Sequence, residues 1–234
     1  MNIVTEKIDV DLLILFLAII SAGLWLMGTQ MVKIILPFLA ERIGARGILL
    51  ARVLYIGLLF FTFLPPIVGF LCDKYGYKKL ILITSILDSA AVLLYLIARN
   101  YNELLIIRII HGFFGVSLSA SFLSFIGNTV KKRGGVYIGA YRASTALGMA
   151  VAPLIIIMLV GFGYQVIVIS ASILILMPLV VVLCKEEEPI VKKAKMKDII
   201  RSIVILENSP LMLSAIIEIL CFVVFLAFFS CYFN

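Results

Sequence analysis

Residues 69–82 read GFLCDKYGYKKLIL. Within this stretch Gly69, Asp73, Lys74, Gly76, Lys78 and Lys79 are spaced in a way that a simple polar turn does not require. Gly69 is small enough to let another helix approach closely. Gly76 supplies the φ freedom of a tight reversal. Lys78 and Lys79 suit the start of an apolar helix held at a headgroup layer. Asp73 is a single acid among cations, placed to pair with a base or to meet a helix N-terminus. A positively charged turn between two membrane spans accounts for the lysines, but not for Asp73 together with both glycines.

On either side the chain is apolar for long distances. The 234 residues are 64% hydrophobic and 14% charged, with a mean hydropathy of +1.21. A soluble domain needs more polar surface than this supplies, so lipid is the natural solvent for these segments. A helix needs about 20 apolar residues to cross the hydrocarbon core. Seven candidate spans follow, at about 11–31, 49–71, 79–98, 104–127, 137–160, 164–184 and 211–233. In lipid, backbone groups must bond within their own segment, so the spans are helices. Most joints are short, which makes successive spans antiparallel. The first span lacks a convincing cleavage site and reads as retained. The expected fold class is an all-α membrane protein.

Lysine and arginine placement sets an expected orientation. With the N-terminus cytoplasmic, the inner segments carry thirteen basic residues and the outer joints three, Arg42, Arg46 and Arg99. The C-terminus is then outside, and the membrane is the plasma (cytoplasmic) membrane. Residues 185–209, KEEEPIVKKAKMKDIIRSIVILENS, form the long charged connection. Part of it alternates basic and apolar residues at roughly helical spacing, which suits an amphipathic helix on the inner face or a solvated linker. The expected organisation is a six-span bundle over 1–184, this linker, and a seventh helix over 210–234.

The Gly69–Lys79 spacing resembles the signature loop of the major facilitator superfamily, G-x-x-x-D-[RK]-x-G-x-[RK]-[RK], and every position matches. A second resemblance lies in LLIIRIIHGFFG, where Leu104, Arg108, His111 and Gly112 fit the family pattern and Phe114 stands where a glycine is expected. A third lies in the fifth span, where Gly139, Gly148 and Pro153 fit an antiporter pattern but Ala152, Ile156 and Ile157 replace its later glycines. That departure weakens a reading as a proton-coupled drug antiporter. The resemblance implies two six-helix bundles, each of two three-helix repeats, rocking about a central site. It implies secondary active transport of a small solute. The repeat itself is not visible in the sequence.

The resemblance places spans one, two, four and five at the cavity or bundle interface, and spans three and six outside. Charges inside the first group are therefore candidates for solute or ion coupling, because a buried charge usually faces a cavity or a partner. Lys33, Arg52 and Arg108 either form a positive outer vestibule, which favours an anionic solute or helps a proton enter and leave by shifting a neighbouring acid's pKa, or, for Lys33 and Arg52, snorkel to the outer headgroups. His111, the single histidine, stands one turn from Arg108 on nearly the same face. It is either a titrating group or a neutral interhelical hydrogen-bond partner. Arg142 suits a cavity role and an interhelical ion pair equally. Asp88, mid-span three, reads as a structural partner to another helix. Glu218 lies in the span that would border the cavity in a second bundle.

Other classes lack their residues. Retinal attachment would need a lysine within 211–233, and none is there. No HExxH or paired-carboxylate constellation points to an enzyme, and no cofactor or metal is implied. Cys72, Cys184, Cys221 and Cys231 have no CxxC spacing. The net charge of +7 lies in joints between spans, not in a nucleic-acid patch. A permease of this type has about twelve spans. Seven are consistent with a piece of a longer transporter, with a half that pairs with a second copy or a separate half, or with a non-transporting scaffold or regulator. The lipid bilayer is the other expected partner.

Overall fold

The computed structural model describes residues 2–129 and 134–180, and every element among them is helical. Helix α1 runs Asn2–Arg42. A broken rod follows, α2 (Ile48–Tyr55), a 3-10 turn (Ile56–Leu59) and α3 (Phe60–Tyr75). Then come α4 (Tyr77–Leu93) with a 3-10 turn at Leu94–Leu96, and α5 (Tyr101–Thr129). Helix α6 spans Gly134–Leu159, and α7 spans Tyr164–Ile175. Four helical segments among the described residues are long and apolar enough to cross a membrane alone: Leu13–Arg42, Tyr77–Leu96, Tyr101–Gly127 and Gly135–Phe162. The linker at 185–209, the seventh helix at 210–234 with Glu218, and the basic joint at 131–133 lie outside the described residues.

The rods alternate between two ends. One end carries the reversal at Gly76. The other carries Gly44, Gly47, Asn100 and Gly163. Gly76 is the one-residue break between α3 and α4, with φ +90° and ψ 138°, a conformation open essentially to glycine. Its N–H closes α3 by donating to the Cys72 carbonyl at 2.9 Å. At the other end Asn100 caps α5. Its Oδ1 accepts from the Glu103 N–H (2.9 Å), and the Glu103 carboxylate accepts from Asn100 Nδ2 and from the Arg99 N–H. This reciprocal box satisfies donors that α5 would otherwise leave open, and it fixes the register of everything further along α5.

Two expected boundaries are corrected. The first span does not end at 31 but continues as helix through Lys33 and Pro37 to Arg42. Lys33 is therefore not at the mouth of its helix; it is half-buried, nine residues before the end. A proline within a membrane helix is tolerated because neighbouring helices re-satisfy the freed carbonyl. The second span is not one α-helix either. It breaks at Ile56–Leu59, where Gly57 meets Gly112 of α5: a methyl on Gly112 would lie 2.7 Å from the Gly57 Cα. The two backbones approach this closely because neither position carries a side chain.

Small residues set the packing of α1. A methyl on Gly148 would run into the carbonyl oxygen of Gly23, and a methyl on Gly23 would meet Ser144 Oγ. Ser144 Oγ also donates to the Ile19 carbonyl at 2.7 Å, pinning α6 to α1. A methyl on Gly28 would lie 2.6 Å from the Ala171 carbonyl of α7. Trp25 stacks on Phe122 (6.2 Å between ring centres), which in turn faces Tyr141 at the same distance. Aromatic contact thus joins α1, α5 and α6 through the centre of the bundle.

Candidate functional site

Charged side chains meet in the middle of this apolar bundle. Asp88 lies midway along α4 and is fully buried. The chain's single tryptophan, Trp25 of α1, donates its Nε1–H to Asp88 Oδ2 at 3.1 Å. His111 of α5 places Nε2 3.7 Å from Asp88 Oδ1 and is 1% exposed. On its other side His111 Nδ1 lies 3.2 Å from the Tyr95 hydroxyl. Asp88 Oδ1 and His111 Nε2 have no hydrogen-bond partner among the described residues. An unsatisfied buried polar group carries a desolvation cost of about 1–3 kcal/mol, so two of them facing each other mark a place poised to take up something more.

The local sequence explains the meeting. Asp88 is twelve residues before Asn100 and His111 eleven after it. Helices α4 and α5 are antiparallel about that turn, so the two residues reach the same depth. Tyr95 reaches them because side chains tilt toward the N-terminus of their own helix, which on α4 points back toward the bundle centre. Gly115 leaves room for the carboxylate; a methyl there would lie 3.6 Å from Asp88 Oδ1.

Arg108 is 4% exposed. Its Nη2 donates to the Leu54 carbonyl at 3.2 Å, at the end of α2. The break after α2 leaves carbonyls without helical partners, and a cation is favourable at a helix C-terminus. Arg108 Nε remains without a partner among the described residues. Lys33 stands within the electrostatic field of both Arg108 and Asp88.

The structure thus brings Lys33, Arg108, His111 and Gly112 into one region and adds Asp88, Trp25 and Tyr95. It does not bring Arg52 or Arg142 there. Arg52 is exposed on α2, so the expected three-cation vestibule becomes a two-cation cluster inside the bundle. Arg142 is also exposed, and its guanidinium lies over the Tyr141 ring at 5.8 Å; no acid pairs with it among the described residues. The choice between a cavity role and an ion pair therefore loses its second option within this part of the chain.

The signature residues occupy the Gly76 end. Gly69, Asp73 and Lys74 ride the last turns of α3, and Lys78 and Lys79 the first turn of α4. Asp73, Lys74 and Lys79 are exposed. Nothing lies within 4 Å of a methyl built on Gly69 or on Gly139, so the close approach expected at Gly69 is not made by any described residue. Gly148 makes the tight α1 contact described above. Pro153 is exposed on α6, which continues through it.

A family model described as Major Facilitator Superfamily matches residues 14–234. The chain belongs to the major facilitator superfamily. It is accordingly an integral membrane protein of a transporter family, and its long apolar helices agree with that. The match runs through the signature junction and the α5 motif, so the family resemblance and the buried cluster concern the same bundle. A search among curated proteins gave no match.

Proposed function

We propose that the chain carries out secondary active transport of a small solute by alternating access, as part of a major facilitator superfamily permease. The observation that carries this reading is the Gly76 junction. Its signature residues are held on two rigid helix ends, with Asp73, Lys74 and Lys79 exposed and Gly69 open. A set of residues so specific in spacing, with Asp73 and Lys74 exposed at the end of the bundle, suits contact with a second bundle that rocks against the first. In this reading residues 1–184 form one wall of the site, 185–209 are the cytoplasmic linker, and 210–234, with Glu218, open the other wall. The Gly76 end faces the cytoplasm in the plasma membrane, as the distribution of basic residues suggests.

The solute is a small anion. Lys33 and Arg108 outnumber Asp88 by one charge when His111 is neutral, and a net charge at membrane depth seeks a partner.

The reading is tested by Asp73→Asn. In proteoliposomes, uptake or counterflow of small anions should fall about tenfold or more, a coupling of about 1.4 kcal/mol. Membrane insertion, followed by extraction resistance and yield, should stay at the wild-type level. Equal losses of insertion and transport would reduce the junction to a topological turn.

A further inference from the structure

One member of the buried cluster, Tyr95, also lines a pocket. At the end of the bundle that carries Asn100 and Gly163, a pocket of about 310 Å³ is lined by Arg42, Arg99, Leu104, Tyr164 and Tyr95 among others. Tyr95 is 2% exposed, so it forms a floor rather than a rim. Its hydroxyl lies 3.2 Å from His111 Nδ1, and His111 Nε2 faces Asp88 Oδ1 at 3.7 Å. Phenol, imidazole and carboxylate follow one another at these distances, and the same tyrosine lines the pocket. A polar pocket of this volume has ample room for water.

We propose that Asp88 and His111 form a proton-holding site, reached from that pocket through the Tyr95 hydroxyl, and lying inside the bundle rather than at the wall between bundles. The two atoms left without partners, Asp88 Oδ1 and His111 Nε2, are the pair that shares the incoming proton. Tyr95 gives its hydroxyl proton to His111 Nδ1 and takes one from pocket water. The imidazole passes its Nε2 proton to Asp88 Oδ1. Asp88 ends neutral, the imidazole is neutral with its proton on Nδ1, and the pocket water has lost one proton. Closing 3.7 Å to hydrogen-bond length takes a side-chain movement of about 1 Å.

The charged and titratable groups around the pair are Lys33 from α1, Arg108 from α5 and Tyr95 at the end of α4; Trp25 fixes the other carboxylate oxygen. The cations offset the cost of an ionised carboxylate at this depth. Arg42 and Arg99 at the pocket repel metal cations.

The experiment uses the purified full chain in detergent micelles and needs no solute. Trp25 is the single tryptophan and is bonded to Asp88, so its fluorescence reports the charge on that carboxylate. The wild type should show a one-proton fluorescence step with pH, and Asp88→Asn should abolish it. Tyr95→Phe keeps the ring and should keep the amplitude and midpoint of the step. After a rapid pH jump it should slow the response about tenfold or more. The proposal is overturned by a wild type without the step, by a step that survives Asp88→Asn, or by a Tyr95→Phe chain that responds as fast as the wild type. If Asp88→Asn does not fold, the Tyr95→Phe kinetics decide. Failure of anion transport would leave these outcomes untouched.

Discussion

A Gly148→Leu chain should fail to assemble its bundle. The position has no space for even one carbon, because the first atom met is the carbonyl oxygen of Gly23, with the Met27 backbone nitrogen 3.2 Å away. Overpacking costs about 1–3 kcal/mol when neighbouring side chains can move aside. Here the obstacle is backbone in the middle of α1, so the helices must separate and the cost exceeds that range. Separation would also break the Ser144 bond to Ile19 and open the Trp25–Phe122–Tyr141 stack. Against a marginal total of about 5–15 kcal/mol, that is a large fraction. The expected result is insertion into the membrane but loss of a monodisperse peak in detergent and rapid proteolysis. Gly139→Leu, on the same helix in open space, should behave as wild type. Equal stability of the two variants would refute the close α1–α6 packing.

Arg108→Ala should have the largest effect on transport. Its guanidinium closes the α2 end and supplies one of two cations opposite Asp88. Removing one member of a buried charge set costs about 3–5 kcal/mol, so some loss of folded protein is expected as well. Per folded molecule, uptake of small anions should drop about 100-fold, about 2.7 kcal/mol of lost stabilisation. Neutral solutes of similar size should be spared. Arg108→Lys keeps the charge without the planar fork and should fall between. Unchanged anion uptake in folded Arg108→Ala would remove the anion from the proposed function.

What could be read from the residues divides along a physical line. The Gly69–Lys79 junction was legible because a tight reversal between two spans depends on residues a few positions apart. The family and the helical class came with it. The break at Ile56–Leu59 was hidden inside a run that is apolar throughout. There, Gly57 packs on Gly112, and that contact spans more than fifty residues of sequence. The continuation of α1 past 31 was missed because Lys33 and Pro37 resemble a helix end, whereas a buried partner and neighbouring helices carry both. Asp88 reads as a structural partner to another helix, and its bond from Trp25 of α1 agrees with that; its meeting with His111 is the part that the sequence pattern hides. Counting outward from Asn100 in both directions would have matched it with His111 at one depth. Trp25 and Tyr95 gave no comparable signal, since aromatic residues are ordinary in membrane helices and only their polar atoms distinguish these two.

The depth of Asp88 has an electrical meaning. It sits eight residues below Leu96, about 12 Å along the helix, in a hydrocarbon layer about 30 Å thick. Carrying one elementary charge across the whole layer is worth about 2.3 kcal/mol per 100 mV. A proton travelling from the pocket to Asp88 crosses roughly two-fifths of that distance. Its binding is therefore biased by about 1 kcal/mol per 100 mV. A polarised cell would set the occupancy of this carboxylate by voltage as well as by acidity, even with the bundle standing still.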